Sequence, residues 1–256
     1  MLHKFFNRYW LFILFFLVLI LLLITRGAVL LSSTYHNLGN YEIYSLADIP
    51  VSDARYNPIY EQSVSLLSAA SKLTPQNDRV LFSLARLSIL NGDLSQAGNA
   101  LIQINEPDHQ IIKWLSGYVF YKLGDSSRAI EYWTQAGSAR QIVSLGVQAA
   151  DGNYPLRAIE LFEIAMQVDP GYANAYYAMG ATYLGLGNFE LAERYLSKAI
   201  ELSPNLWWYH LHLAQLYDNQ NNYPQALSEY KIALALNSKL EKVRERINEL
   251  ESGYSP

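Results

Sequence analysis

The sequence predicts an all-α protein, a solenoid of stacked helix pairs behind a single membrane-crossing helix at the amino terminus. Three observations carry that reading. A small residue recurs near the start of a helical stretch at Ser63, Ala97, Ala129, Ala158, Ala192 and Ala226, with spacings of 34, 32, 29, 34 and 34. A turn signal precedes most of these positions, as in NGDLSQA, LGDSSRA, DGNYPLRA, LGNFELA and QNNYPQA. The run YWLFILFFLVLILLLIT, Tyr9 to Thr25, carries no charge, and it lifts the mean hydropathy of the 256-residue chain to about zero, high for a soluble protein.

The apolar run is taken first. Seventeen helical residues rise only about 25 Å, slightly short of the roughly 30 Å hydrocarbon core, but Arg26 can snorkel and let the span continue through GAVLL to Leu31. A cleaved secretory signal would need a shorter apolar stretch and a small-x-small site, and TRGAVLLSST offers no clean one. With no cysteine in the chain, neither a lipoprotein anchor nor a disulfide is available. Lys4 and Arg8 precede the run, so the amino terminus is expected in the cytoplasm and the rest of the chain on the opposite side. The expected divisions are a cytoplasmic segment 1–8, an anchor 9–31, a linker 32–55 without helical periodicity, a solenoid 56–240 and a capping helix 241–252.

Within the solenoid, Gly or Asn is expected to end one helix and Asp or Asn to cap the next, with Pro155 and Pro224 at early helical positions where a missing amide hydrogen costs least. A second small residue stands seven before each turn: Ala85 before Gly92, Gly117 before Gly124, Gly180 before Gly187 and Ala214 before Asn221. Small residues on both helices of a pair let the two backbones approach closely. A pair that cannot bury its own apolar face must then stack on a neighbour. In the last helix Leu240, Val243, Ile247 and Leu250 form one apolar row among charged faces, as a cap requires.

These residues resemble the tetratricopeptide repeat family. Residues 173–206 resemble its pattern through Tyr176, Gly180, Tyr183, Ala192, Leu196, Ala199 and Pro204, and 207–240 through Ala214, Tyr217, Ala226, Tyr230 and Ala233. Stretches 78–109 and 110–138 match less closely. The stretch 139–172 reads as irregular, with an extra residue between Tyr154 and Ala158 and a shortened turn at AGSA, and 58–77 reads as a second helix that has lost its partner. The resemblance implies a right-handed superhelical solenoid whose first helices line a concave groove. Superposing the pairs gives the expected groove rows Arg79, Phe82, Arg86 and Ile89; Ile111, Trp114, Tyr118 and Tyr121; Asn174, Tyr177, Ala181 and Leu184; Trp208, Leu211, Gln215 and Asp218. The row from 139–150 is not placed. Trp207 and Trp208 diverge by about 100° on a helix. With Trp207 packed toward the preceding pair, Trp208 is expected to face the groove.

Nothing in the chain points to catalysis: there is no thiol, only five histidines and no glycine-rich phosphate loop, so neither a catalytic residue nor a cofactor is expected. His210 and His212 lie two apart and diverge by about 200° on a helix, whereas paired metal ligands need a spacing of three or four, so no metal site is expected. Beyond residue 31 the chain carries 16 Lys and Arg against all 23 Asp and Glu, a formal charge of −7, which disfavours nucleic acid as a partner. The aromatic rows suit a protein or extended peptide, and a glycan would also stack on them. The expected function is a membrane-anchored scaffold or adaptor that binds a protein partner on the non-cytoplasmic side, in assembly of an envelope complex. The alternatives are a cytosol-facing targeting receptor on an organelle surface and a glycan-binding export accessory.

Overall fold

A computed structural model describes residue 21 and residues 24–37, 56–105 and 109–253. The described residues are mainly helical and hold no strand. Residues 24–37 form α1, and the helices that follow are α2 (Tyr56–Leu73), α3 (Asp78–Leu90), α4 (Leu94–Leu101), α5 (Gln110–Lys122), α6 (Ser126–Ala136), α7 (Ala139–Asp151), α8 (Pro155–Val168), α9 (Ala173–Gly185), α10 (Phe189–Leu202), α11 (Trp207–Asn219), α12 (Tyr223–Leu236) and α13 (Glu241–Gly253). Two compact units divide the chain at Ala129 and Ile130. Among the described residues no helix is long and apolar enough to cross a membrane, and the run expected to do so lies outside them apart from Leu21, Ile24 and Thr25.

One closure recurs at the turns. Gly92, Gly124, Gly137 and Gly187 take positive φ, and Asn153 and Asn221 hold the same left-handed position at φ 63° and 59°. The amide that follows each of them reaches back to a carbonyl five residues earlier, as from Asp93 to Ser88 (2.8 Å), Asn188 to Tyr183 (2.9 Å) and Asn222 to Tyr217 (2.8 Å). This satisfies a carbonyl that the helix end would otherwise orphan. Asp93, Asp125 and Asn188 then accept a backbone amide of the next helix, from Gln96, Arg128 and Leu191. Tyr154 and Asn222 make no such bond at the start of α8 and α12, where the proline in the first turn presets the backbone instead.

In the first unit, α3, α4 and α5 share a core of Leu81, Ala85, Ala97, Leu101, Ile112 and Val119. Helix α2 adds Leu67, which packs with Leu87 of α3. It is one helix from Tyr56, and it does have a neighbour: Ser32 of α1 is buried and donates to the Ala70 carbonyl (3.1 Å), beside the Thr74 hydroxyl. His36 Nε2 lies 3.1 Å from the Arg79 carbonyl and 2.9 Å from Ser83 Oγ. Residues 32–37, read from sequence as the start of a linker, are therefore helical: hydrogen bonds to α2 and α3 supply what their polar composition lacks in apolar periodicity. Burial pulls the His36 imidazole below its ordinary value of 6.5, with Arg79 adding to the effect against the bond to its carbonyl. The contact is thus complete above that value and weakens as pH falls through the lowered one.

In the second unit the pairs α7–α8, α9–α10 and α11–α12 follow one another, and α13 packs on α12. Ala192, Leu196, Ala199, Ala214, Ala226 and Ala233 are fully buried, as is Tyr209. Val243, Ile247 and Leu250 of α13 are buried against Ala226 and Tyr230, with Leu240 beside them. The stretch 139–172 departs from the sequence reading, because it is a regular pair. Gly146 stands seven before Asn153, and Ala158 stands 34 before Ala192. A Cβ at Gly146 would run into the Phe162 ring of α8, just as one at Gly180 would come within 2.8 Å of Leu196 Cγ and 3.0 Å of its backbone nitrogen. The irregularity belongs instead to α6, whose 11 residues pass to α7 through Gly137 and Ser138 alone.

Gly180→Leu and Gly146→Leu should each destabilise the protein by about 1–3 kcal/mol or more through overpacking. Ser197→Leu, at an exposed position of α10, should leave the urea midpoint nearly unchanged. Equal losses at all three sites would contradict the close crossing.

Candidate binding surface

Each compact unit carries its own share of the expected groove residues. In the first, Arg79 is exposed at the start of α3, while Phe82 and Ile89 pack against the α3–α5 core and Arg86 is half-buried. On α5, Trp114 and Tyr118 stack one turn apart with centroids 5.7 Å from each other and planes 8° apart; both are half-buried, as is Tyr121, and Ile111 is 69% exposed. The spacing of four places the two rings over each other along the helix.

In the second unit the expected residues separate into those that hold the fold and those that line open space. Tyr209 donates to Asn174 Oδ1 (2.5 Å), and Tyr177 stacks on Tyr209 at 4.9 Å and meets His212 edge-on at 5.1 Å. Asn174 and Tyr177 therefore tie α9 to α11. Burial, with Tyr172 and Tyr177 nearby, pushes the Tyr209 hydroxyl up to about 12, and burial also raises that of Tyr177, so both hydroxyls stay protonated. Asp218 is likewise committed. Its two oxygens accept from Arg246 of α13 at 2.7 and 2.8 Å, and Tyr230 donates to it at 3.1 Å. The bonds from Arg246 hold its carboxyl below the ordinary range.

The two tryptophans are placed the other way round from the sequence expectation. Trp208 packs against Ala173, Ala199 and Tyr209, which belongs to the core shared with the preceding pair α9–α10. Trp207 lines a cleft of about 500 Å³ with Leu211 and Gln215 of α11, bounded by Lys239 in the turn before α13 and by Lys242 and Arg246 at its start. A 100° divergence separates the two rings but does not say which one faces the core; the phase of α11 decides, and Tyr209, fully buried next to Trp208, fixes it. A second cleft, of about 450 Å³, lies between α7–α8 and α9 and is lined by Val147, Ala150, Asp151, Tyr177, Ala181 and Leu186. Val147 and Ala150 belong to the row that sequence reading did not place, and Asp151 follows it. The Gly146 to Asn153 interval is the signal that locates them.

The tempting histidine pair is used structurally. His210 is buried, with Nδ1 2.7 Å from Glu229 Oε2 and Nε2 2.9 Å from the Pro204 carbonyl, while His212 Nδ1 lies 2.9 Å from the Trp208 carbonyl. Hydrogen bonds of this kind pin α11 to its own entry turn and to α12.

Trp208→Ala should lower stability by about 2–3 kcal/mol as a core truncation, and Trp207→Ala by less than about 1 kcal/mol, both read by urea unfolding. Asp218→Asn should cost about 1 kcal/mol at neutral pH, the partly exposed Arg246 end being screened by solvent. Because the folded carboxyl is lowered, its contribution is present above about pH 4 and lost as pH falls through the folded value, so the gap between wild type and Asp218→Asn should close in acid. A gap independent of pH would show that the carboxylate charge does not hold α13.

Residues 173–206 match the tetratricopeptide repeat family. Over 95 residues the chain is 30% identical to a protein O-mannosyl-transferase of Caenorhabditis elegans, a match covering 37% of this chain and 14% of that protein's length. Among solved structures it is similar to the first tetratricopeptide domain of Spaghetti (RPAP3) bound to an HSP90 peptide, at 15% identity and a TM-score of 0.45, covering 47% of this chain and 95% of that one. It is also similar to a thermophilic tetratricopeptide repeat protein of Thermus thermophilus, at 21% identity and a TM-score of 0.36, covering 86% of this chain and 99% of that one. The helix pair α9–α10, with its entry and exit turns, is thus a tetratricopeptide repeat.

Proposed function

We propose that the protein is a membrane-anchored scaffold that binds an extended segment of a partner protein on the non-cytoplasmic side, in the assembly of an envelope complex. The observation that carries the binding half is the pair of clefts in the second unit, each walled on one side by a first helix and lined by apolar and aromatic side chains: Trp207 and Leu211 in one, Val147 and Tyr177 in the other. Rigid aromatic side chains give contact area at low entropic cost, which suits an extended peptide held by a few anchors. The anchoring half is supported by the uncharged run Tyr9–Thr25 and by the basic residues Lys4 and Arg8 before it.

The aromatic residues first read as groove contacts divide accordingly. Trp207, Leu211, Gln215, Val147 and Ala181 line the two clefts and are the proposed contacts, with Tyr177 serving both fold and cleft. Trp208, Asn174 and Asp218 support them from behind. In the first unit, Trp114, Tyr118 and Tyr121 remain proposed contacts on α5, with Arg79 and Arg86 as the basic positions.

Crosslinking of the full chain in its native membrane, followed by identification of what is captured, tests this function. Trp207→Ala should reduce capture of the specific partner by ten-fold or more, as loss of a central anchor does, while Trp208→Ala should reduce it only in proportion to unfolded protein. For topology, a reporter active only outside the cytoplasm should work when fused after Ser33 and fail when fused after Asn7. The reverse pattern would favour the cytosol-facing receptor.

A further inference from the structure

The first described helix changes character along its length. Up to Leu31 it is apolar apart from Thr25 and Arg26, and from Ser32 it reads SSTYHN. The polar end makes the contacts with the rest of the unit, through buried Ser32 on Ala70 and Thr74 of the α2 end and through His36 on Arg79 and Ser83 of α3. The apolar end is turned outward: Ile24 is 62% exposed, Val29 56%, Leu30 68% and Leu31 52%. The docking contacts are thus made by the polar Ser32 and His36 while four large aliphatic side chains stay exposed, the reverse of what a helix docked in water requires.

Length sets the position of the boundary. By sequence length alone, 17 uncharged residues would rise only about 25 Å as a helix, short of a roughly 30 Å hydrocarbon core, whereas the 23 residues to Leu31 would rise about 34 Å. A core of that thickness takes about 20 helical residues, so the span runs past Arg26, which snorkels outward, into the apolar stretch that ends at Leu31. The next residue, Ser32, is already in contact with α2. Residues 24–37 are one continuous helix, so no free tether separates the apolar end from the first docking bond.

We propose that this helix leaves the bilayer at Leu31 and docks at once on α2 and α3, so that Ile24, Val29, Leu30 and Leu31 face lipid and the α2–α3 end of the first unit rests against the lipid headgroups. The partner of the outward face is the bilayer itself, because the sequence that leads into that face is 17 uncharged, mostly aliphatic and aromatic residues. Snug docking gives the first unit a fixed orientation to the membrane, which a flexible linker would not. The inference rests on the anchored reading above and adds to it where the span ends and what it touches.

The chain has no cysteine, so labels can be placed singly in the full-length protein. Three measurements are made on it in vesicles of phosphatidylcholine and phosphatidylglycerol: retention through alkaline carbonate, collision of nitroxides at Leu30→Cys and Asn37→Cys with oxygen and with a water-soluble nickel chelate, and the distance between labels at Ser33→Cys and Lys72→Cys. Retention is expected, with Leu30 favouring oxygen, Asn37 favouring nickel and a single narrow distance between the pair. Loss of the protein in carbonate would overturn the anchored reading as well. Retention with Leu30 open to nickel, with Leu30 shielded from both reagents by protein, or with a broad distance distribution would overturn the docking alone. Ser32→Leu, which removes the hydroxyl bond, should broaden that distance without releasing the protein from the vesicles, whereas an unchanged distribution would show that Ser32 does not set the docking.

Discussion

Close backbone approach at one point per helix pair is the constraint on which the second unit depends. At Gly180 the α10 backbone is near enough that a single added carbon would lie 3.0 Å from the Leu196 nitrogen, and at Gly146 the Phe162 ring fills the place that a side chain would take. The facing alanines Ala158, Ala192 and Ala226 are fully buried for the same reason. Bringing two helices this close leaves room at each crossing for one large side chain of the second helix, Leu196 at Gly180 and Phe162 at Gly146, and the other large apolar residues stand on the flanks. Tyr183, Tyr217 and Tyr230 stand there, and they join the layer against which the next pair stacks. Intra-pair closeness and inter-pair packing are consequences of the same small residues.

Such an arrangement writes itself into sequence at fixed intervals, which is why the helices from α9 onward were legible before any coordinates. The stretch 139–172 was less legible because its turn glycine is misleading. Gly152 has an ordinary helical φ, and it is Asn153 that takes the left-handed turn position. Counting from the glycine shifts the first helix by one residue and hides Gly146. Asparagine tolerates the left-handed region because its short amide can bond locally, so a reading that admits Asn wherever it admits Gly restores the register. The helical character of residues 32–37 was hidden for a different reason. Their order comes from hydrogen bonds to residues 38 to 47 positions away, and local periodicity carries no trace of those.

The candidate surface was legible as a set of faces but not as a division of labour. Asn174, Asp218 and Trp208 all sit at first-helix positions that the register assigns to the groove. Each is instead committed to a neighbour: Asn174 to Tyr209, Asp218 to Arg246 and Trp208 to the α9–α10 core. The periodicity of one helix cannot reveal this, since the partners lie 28 or 35 residues away and in two of the three cases are polar. A buried Tyr that needs an acceptor, or a terminal Arg that needs a carboxylate, recruits whichever polar residue the next layer presents. The open side keeps the apolar Trp207, Leu211, Val147 and Ala181, beside polar residues such as Gln215 and Asp151.

The capping helix joins these threads. An array of pairs must end in an element with one apolar and one polar face, and α13 meets that need with Val243, Ile247 and Leu250 inward and its charged residues outward. Its first turns also form a wall of the cleft that holds Trp207, and the Arg246 that borders the cleft is the same residue that locks Asp218. Movement of α13 would therefore change the width of that cleft and break the ion pair together. The last repeat presents its aromatic surface in a defined shape because the array has been closed beside it by α13, held by its buried apolar row and by the Arg246–Asp218 pair.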